Sequence, residues 1–170
     1  MTVLVLGLGN VLMGDDAFGP SVIEALNAGF EFPPDVDVMD GGTPGLNLAP
    51  VLMDRGALIV VDTVAAEGRP GELRFYRKPD LFRHPSGPRC GPHEPALADL
   101  LAGLDLAGCG PEQVYLVGAI PEQVDGGIRL SEPLRAAIPG AVQAVLEELG
   151  RLGLHATPKP QAPRASAWWE

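Results

Sequence analysis

The chain has 170 residues, 46% of them hydrophobic, and a formal net charge of −10 at pH 7. That length supports one domain with a sizeable core, and no apolar run approaches the roughly 18 residues of a membrane span. Residues 1–62 hold nine acids and one basic residue, Arg55; a phosphate backbone attracts the opposite charge, which excludes nucleic acid as a partner.

The first apolar run, Val3 to Leu8, reads as a buried strand. It leads through Gly9-Asn10-Val11-Leu12-Met13-Gly14 into Asp15-Asp16. Residues 17–29 carry Phe18, Val22, Ile23 and Leu26 on one helical stripe, with Asp15 or Asp16 as the expected N-cap. Phe32-Pro33-Pro34 is a connector. Val36 to Met39 is the second strand, ending at Asp40. Gly41 to Gly45 is a loop, and Thr43 and Pro44 are placed as N-cap and first residue of a helix toward Asp54. Pro50 argues against a regular helix there. Gly56 ends it, and Ala57-Leu58-Ile59-Val60-Val61 is the third strand, followed at once by Asp62.

Residues 71–77 read as an edge strand running the other way, and residues 78–92 as a loop rich in Pro, Arg and Gly. Residues 93–104 form a helix with Leu97, Leu100, Leu101 and Leu104 buried. Residues 113–120 form the next strand. Residues 131–152 form a helix capped by Ser131, with a kink expected at Pro139-Gly140. The order is β-α-β-α-β-β-α-β-α. It specifies an α/β fold, a three-layer α/β/α sandwich on a mostly parallel twisted sheet of about five strands. Residues 1–152 form the single domain, and residues 153–170 a Pro-rich, irregular tail ending in Trp168-Trp169.

Two cysteines, Cys90 and Cys109, are too few for a disulfide framework and fit a reducing cytoplasm. Met1 leads straight into the first strand without a basic leader, so no signal peptide is expected.

Chemistry concentrates where the strands end. In a parallel sheet the carboxyl ends of neighbouring strands form the ligand crevice. Asp15 and Asp16, Asp40 and Asp62 all fall there, and His93 opens a later helix. Each has a plainer reading. Asp15 or Asp16 caps the first helix, Asp40 holds the Gly41-Gly42 turn, Asp62 caps a turn through Thr63, and His93 is a loop histidine. As a set they say more. Carboxylates a few Å apart repel unless a cation or a shared proton lies between them. Two carboxylates and an imidazole suit a borderline divalent ion such as Zn, Ni or Mn.

Two other α/β readings fail on particular residues. Gly7-Leu8-Gly9 after the first strand suggests a dinucleotide fingerprint, but Leu12 occupies its third glycine position. A phospho-receiver domain shares the acidic pair and the Asp after the third strand, but it needs a late-strand Lys. The only lysines are Lys78 and Lys159, and Ile120-Pro121-Glu122 stands in that place.

The ordered set resembles the nickel–iron hydrogenase maturation endopeptidases. Gly7-Leu8-Gly9-Asn10 with Leu12 and Asp15-Asp16 is similar to their opening motif. Asp40-Gly41-Gly42-Thr43-Pro44-Gly45 is similar to the second, Val61-Asp62-Thr63 to the third and Pro92-His93-Glu94 to the histidine motif. Residues 117–122 resemble the late strand end. The resemblance runs in order over residues 3–150.

It implies an endopeptidase that removes a C-terminal peptide from the large-subunit precursor of a nickel–iron hydrogenase after nickel insertion. It implies that Asp16, Asp62 and His93 bind nickel, with Asp40 holding substrate or acting as base. Asp16 is one methylene shorter than the Glu of many members. The nickel would arrive in the substrate, and Zn or Cd would occupy the site in vitro. A cytoplasmic monomer without membrane contacts is expected. The alternatives are a metal-dependent binding or chaperone module for the same precursor, and a general metal-dependent amidase.

Overall fold

The computed structural model describes residues 1–42, 48–83, 96–122 and 127–160. The continuous apolar runs become strands buried on both faces, as parallel strands under two helical layers must be. These are β1 (Val3–Leu8) and β4 (Ala57–Thr63), every residue of which is buried. With β3 (Val36–Gly42), β5 (Leu73–Arg77) and β6 (Gln113–Ala119) they form a five-stranded sheet in the order β3-β1-β4-β6-β5. β1, β3, β4 and β6 are parallel, and β5 runs antiparallel along β6. The expected α/β sandwich and its reversed edge strand are therefore present.

Side-chain alternation divides the core in two. Val3, Val5, Ile59 and Val61 pack with α1 (Phe18–Gly29) and α5 (Glu132–Arg151) on one face. Leu4, Leu6, Leu58 and Val60 pack on the other face with Leu52 of α2 (Ala49–Leu52) and Leu97, Leu101 and Leu104 of α4 (Ala96–Leu106).

Several boundaries differ from the sequence expectation. β3 and β4 extend through Asp40 and Asp62, because β1 and β6 pair with them that far. The stretch after β5, expected as loop, begins with α3 (Lys78–Arg83). Its Pro79 sits in the first turn, where a missing N–H costs nothing. Pro50 is tolerated in α2 in the same way, but the helix is only one turn long. The start expected for it, Thr43-Pro44, lies outside the described residues. α5 continues as one helix through Pro139. Past α5, expected as irregular tail, Thr157–Pro158 (β7) pairs antiparallel with Phe30–Glu31 (β2). Lys159 N–H donates to the Gly29 carbonyl at 2.9 Å. No described helix is long and apolar enough to cross a membrane.

At the amino edge of the sheet, Glu148 on α5 is 5% exposed. Arg77 grips it with two hydrogen bonds, at 2.6 and 2.9 Å, and Arg151 adds three more, the shortest at 2.6 Å. The Arg77 guanidinium also lies 4.2 Å over the Tyr115 ring. Burial pushes the Glu148 carboxyl up, but the hydrogen bonds from Arg151 and Arg77 outweigh it and hold the pKa below the usual 4.5. A depressed carboxylate stabilises the fold above its unfolded value and loses that contribution as pH falls through the folded one. Glu148→Gln should therefore cost about 2 kcal/mol at pH 7, less than a fully buried pair because both arginines are half exposed. Urea unfolding from pH 7 down to pH 3 should show the two proteins converging only below pH 4.5.

Candidate functional site

The carboxyl ends of β3, β1 and β4 lie side by side, with Gly7 of β1 paired to Asp40 on one side and to Val61 on the other. α1 is seated directly on those ends. A Cβ on Gly19 would come 2.2 Å from the Leu8 carbonyl oxygen and 2.5 Å from that of Val61. A Cβ on Gly7 would strike the Gly19 carbonyl at 2.7 Å. Only glycine at both positions lets the helix backbone approach the strand backbone this closely. Gly9, at φ 136°, completes the seam: its Cβ would fall 1.8 Å from the Asp16 carbonyl oxygen.

The turn between strand and helix is a short 3-10 segment, Gly14–Ala17, which carries both Asp15 and Asp16 and packs against β4. Both acids are essentially buried. Neither caps α1, contrary to expectation: the N-cap is Ala17, with no side-chain cap bond. The 3-10 turn supplies the helix entry, and the two carboxylates point to separate tasks.

Asp15 is a clamp. Its Oδ1 accepts the Ser131 N–H at 2.6 Å, and its Oδ2 accepts the Ser131 hydroxyl at 2.9 Å and the Glu122 N–H at 2.8 Å. It thus ties the end of the first motif to the segment after β6 and to the start of α5. The Gly14 N–H adds a bond to the Gly127 carbonyl at 2.5 Å. Sequence reading gave Asp15 no such part. Its partners lie 107 and 116 residues away, and the only local signal was a doubled acid in which one member needed another occupation.

Asp16 turns the other way. Its Oδ2 accepts the Asn10 N–H at 2.8 Å. The Gly19 seam sets it one helical turn from the contact with Val61, the neighbour of Asp62. Asp62 is 5% exposed, and its Oδ1 accepts the Thr63 N–H at 2.7 Å. Strand alternation directs it to the face carrying Leu58 and Val60, the face covered by α4. The Thr63 hydroxyl beside it is buried without a partner among the described residues. Asp16 and Asp62 are therefore both buried, one on the turn that packs against β4 and the other at the carboxyl end of β4.

Asp40 stands apart. It pairs with Gly7 from the far side of β1, so about 10 Å of sheet separates it from the β4 backbone. It is exposed, and its Oδ1 accepts the Gly42 N–H at 2.8 Å, the turn-holding bond expected of it. His93 lies outside the described residues, as does Cys90. Among the described residues no group of three His, Cys, Asp or Glu side chains is placed to hold a metal ion. α4, which begins three residues after His93, runs back across the sheet toward the start of β6. Its own start therefore faces the carboxyl edge.

A cleft of about 360 Å³ lined by Arg77, Lys78, Gln113 and Arg151 opens at the opposite, amino edge. Its cations are already engaged, Arg77 and Arg151 by Glu148 and Lys78 by Asp105. Strand polarity, rather than cavity size, makes the carboxyl edge the candidate site.

The family model for hydrogenase maturation proteases matches residues 20–148. The hydrogenase 2 maturation protease of Escherichia coli (strain K12) is 36% identical over 163 residues, covering 94% of this chain and 97% of that protein. The hydrogenase expression/formation protein HoxM of Azotobacter vinelandii is 36% identical over 153 residues, covering 89% of this chain and 74% of that protein. Among solved structures, the hydrogenase maturating endopeptidase HybD from E. coli superposes with a TM-score of 0.85 at 36% identity, covering 94% of this chain and 98% of that one.

The clamp and the acid beside it should separate experimentally. Asp15→Ala removes three hydrogen bonds to a buried charge and should cost about 3 kcal/mol. A urea unfolding curve should show a lower midpoint at an unchanged slope. Asp16→Ala should leave the midpoint much closer to that of the parent protein.

Proposed function

The chain belongs to the hydrogenase maturation protease family, and on that premise we propose that it removes a C-terminal peptide from the nickel-loaded large-subunit precursor of a nickel–iron hydrogenase. The single observation that supports this reading is the packing of the turn bearing buried Asp16 against β4, at whose carboxyl end buried Asp62 stands. Two carboxylates at close quarters favour a cation between them. With the imidazole of His93 they make an oxygen, oxygen, nitrogen donor set, which fits nickel as well as the Zn or Cd that would occupy the site in vitro. The course of α4 supports His93 as the third donor.

The nickel belongs to the substrate. The precursor presents its loaded metal centre to Asp16, Asp62 and His93, and the crevice reads whether loading is complete. Binding the ion holds the nearby scissile amide at the carboxyl edge of the sheet. A water molecule then attacks the carbonyl carbon. Its proton passes to a carboxylate and onward to the departing amide nitrogen, so the products are a shortened subunit with a new carboxylate and a peptide with a new amine. Asp40, exposed and across β1, holds the substrate chain or serves as that base. One substrate-sized crevice per chain fits a monomer, and the two cysteines fit a reducing cytoplasm.

Nickel-loaded and nickel-free precursors, each incubated with the protein, distinguish the readings by mass spectrometry. Only the loaded precursor should lose its C-terminal peptide. Asp16→Ala, Asp62→Ala and His93→Ala should each slow cleavage at least about a hundredfold. Cleavage of both precursors alike would contradict nickel recognition. A stable complex of unchanged mass would favour a chaperone, and cleavage of unrelated peptides a general amidase.

A further inference from the structure

Asn10 lies in the opening motif without an assigned part, yet three of its atoms are engaged around Asp16. Its N–H donates to Asp16 Oδ2 at 2.8 Å, its side-chain Oδ1 accepts the Leu12 N–H at 2.9 Å, and its carbonyl accepts the Met13 N–H at 3.1 Å. The chain then returns to the acid, since the Asp16 N–H donates to the Met13 carbonyl at 3.1 Å. Asn10 and Asp16 thus close a small ring of hydrogen bonds around residues 10–16.

From this ring we infer that Asn10 is a positioning residue for Asp16, acting through its own peptide N–H. The bond that reaches the carboxylate comes from the backbone, which any residue possesses. What aims it is the side chain. An Asn oxygen that accepts the N–H two residues on folds the backbone into a tight turn and fixes the preceding peptide plane. Gly9 permits that plane's orientation by its φ of 136° and its contact with the Asp16 carbonyl. The aimed N–H holds one carboxylate oxygen in a fixed direction, as donors around ligating carboxylates do.

The fold does not require this turn for anchorage. The far end of the same loop is already held by the Gly14 bond to Gly127 and by Asp15 on Ser131 and Glu122. Loss of the Asn10 acceptor therefore loosens one hold on the direction of Asp16 while the sheet, α1 and α5 stay joined. A merely structural residue would show the reverse, a loss of stability without a selective loss at the site.

The inference rests on Asp16 being a metal-contacting acid, and the experiment tests the two separately. Cadmium ion is titrated calorimetrically into the full chain and into Asn10→Ala, Asn10→Asp and Asp16→Ala, with urea unfolding run on each. Asn10→Ala should bind cadmium roughly ten- to a hundredfold more weakly, with an unfolding midpoint near that of the parent. Asn10→Asp keeps an oxygen for the Leu12 N–H and should retain affinity within about threefold. Should Asn10→Ala not fold, Asn10→Gln, whose amide is one methylene too distant to close the turn, should show the same loss. Undiminished cadmium affinity in the variants lacking the turn overturns the inference, as does an equal loss in Asn10→Asp. If Asp16→Ala loses binding and Asn10→Ala does not, the positioning role alone falls. If Asp16→Ala binds as the parent does, the metal-site reading falls with it.

Discussion

The arrangement depends on one close approach, the backbone of α1 against the carbonyl ends of β1 and β4. Gly19 faces the Leu8 and Val61 oxygens, Gly7 faces Gly19, and Gly9 faces the Asp16 carbonyl. At each contact a single methyl group would have to displace main chain. Without this seam the 3-10 turn would ride away from the sheet, and Asp16 would move from β4 toward water. The turn after β1 and the end of β4 are brought together because three glycines lack a side chain.

The same region carries buried negative charge. Asp15, Asp16 and Asp62 are all buried, and burial of charge is costly unless each carboxylate has donors or a cation. The molecule meets the requirement in two ways. Asp15 is surrounded by donors from Ser131 and Glu122 and becomes part of the scaffold. Asp16 and Asp62 each take a backbone N–H, and under our reading the substrate's nickel supplies the positive charge that brings them together in function.

Much of this was legible before the structure. The unbroken apolar runs at residues 3–8 and 57–61 announced strands covered on both sides, and the α/β order predicted that their ends would be neighbours. The reversed edge strand was legible from its position after the third strand. Other features were not, for physical reasons. Proline-bearing stretches give no helical periodicity, so α3 reads as loop, while the helix expected before Gly56 is present as α2 but only one turn long. The partners of Asp15 lie too far along the chain for any local pattern to reveal. The β2–β7 ladder joins two residues to two across most of the sequence. Asn10 sat in plain view, but only the geometry around Asp16 gives its side chain a task.

The central claim is that Asp16 and Asp62 face a single ion. A crystal of the protein soaked with cadmium and measured for anomalous scattering tests it most directly. The account predicts one strong peak at the carboxyl edge of the sheet, within coordination distance of a carboxylate oxygen from each aspartate and of a nitrogen of His93. A peak held by only one of the aspartates, or a crevice that stays empty while cadmium collects elsewhere, would contradict it.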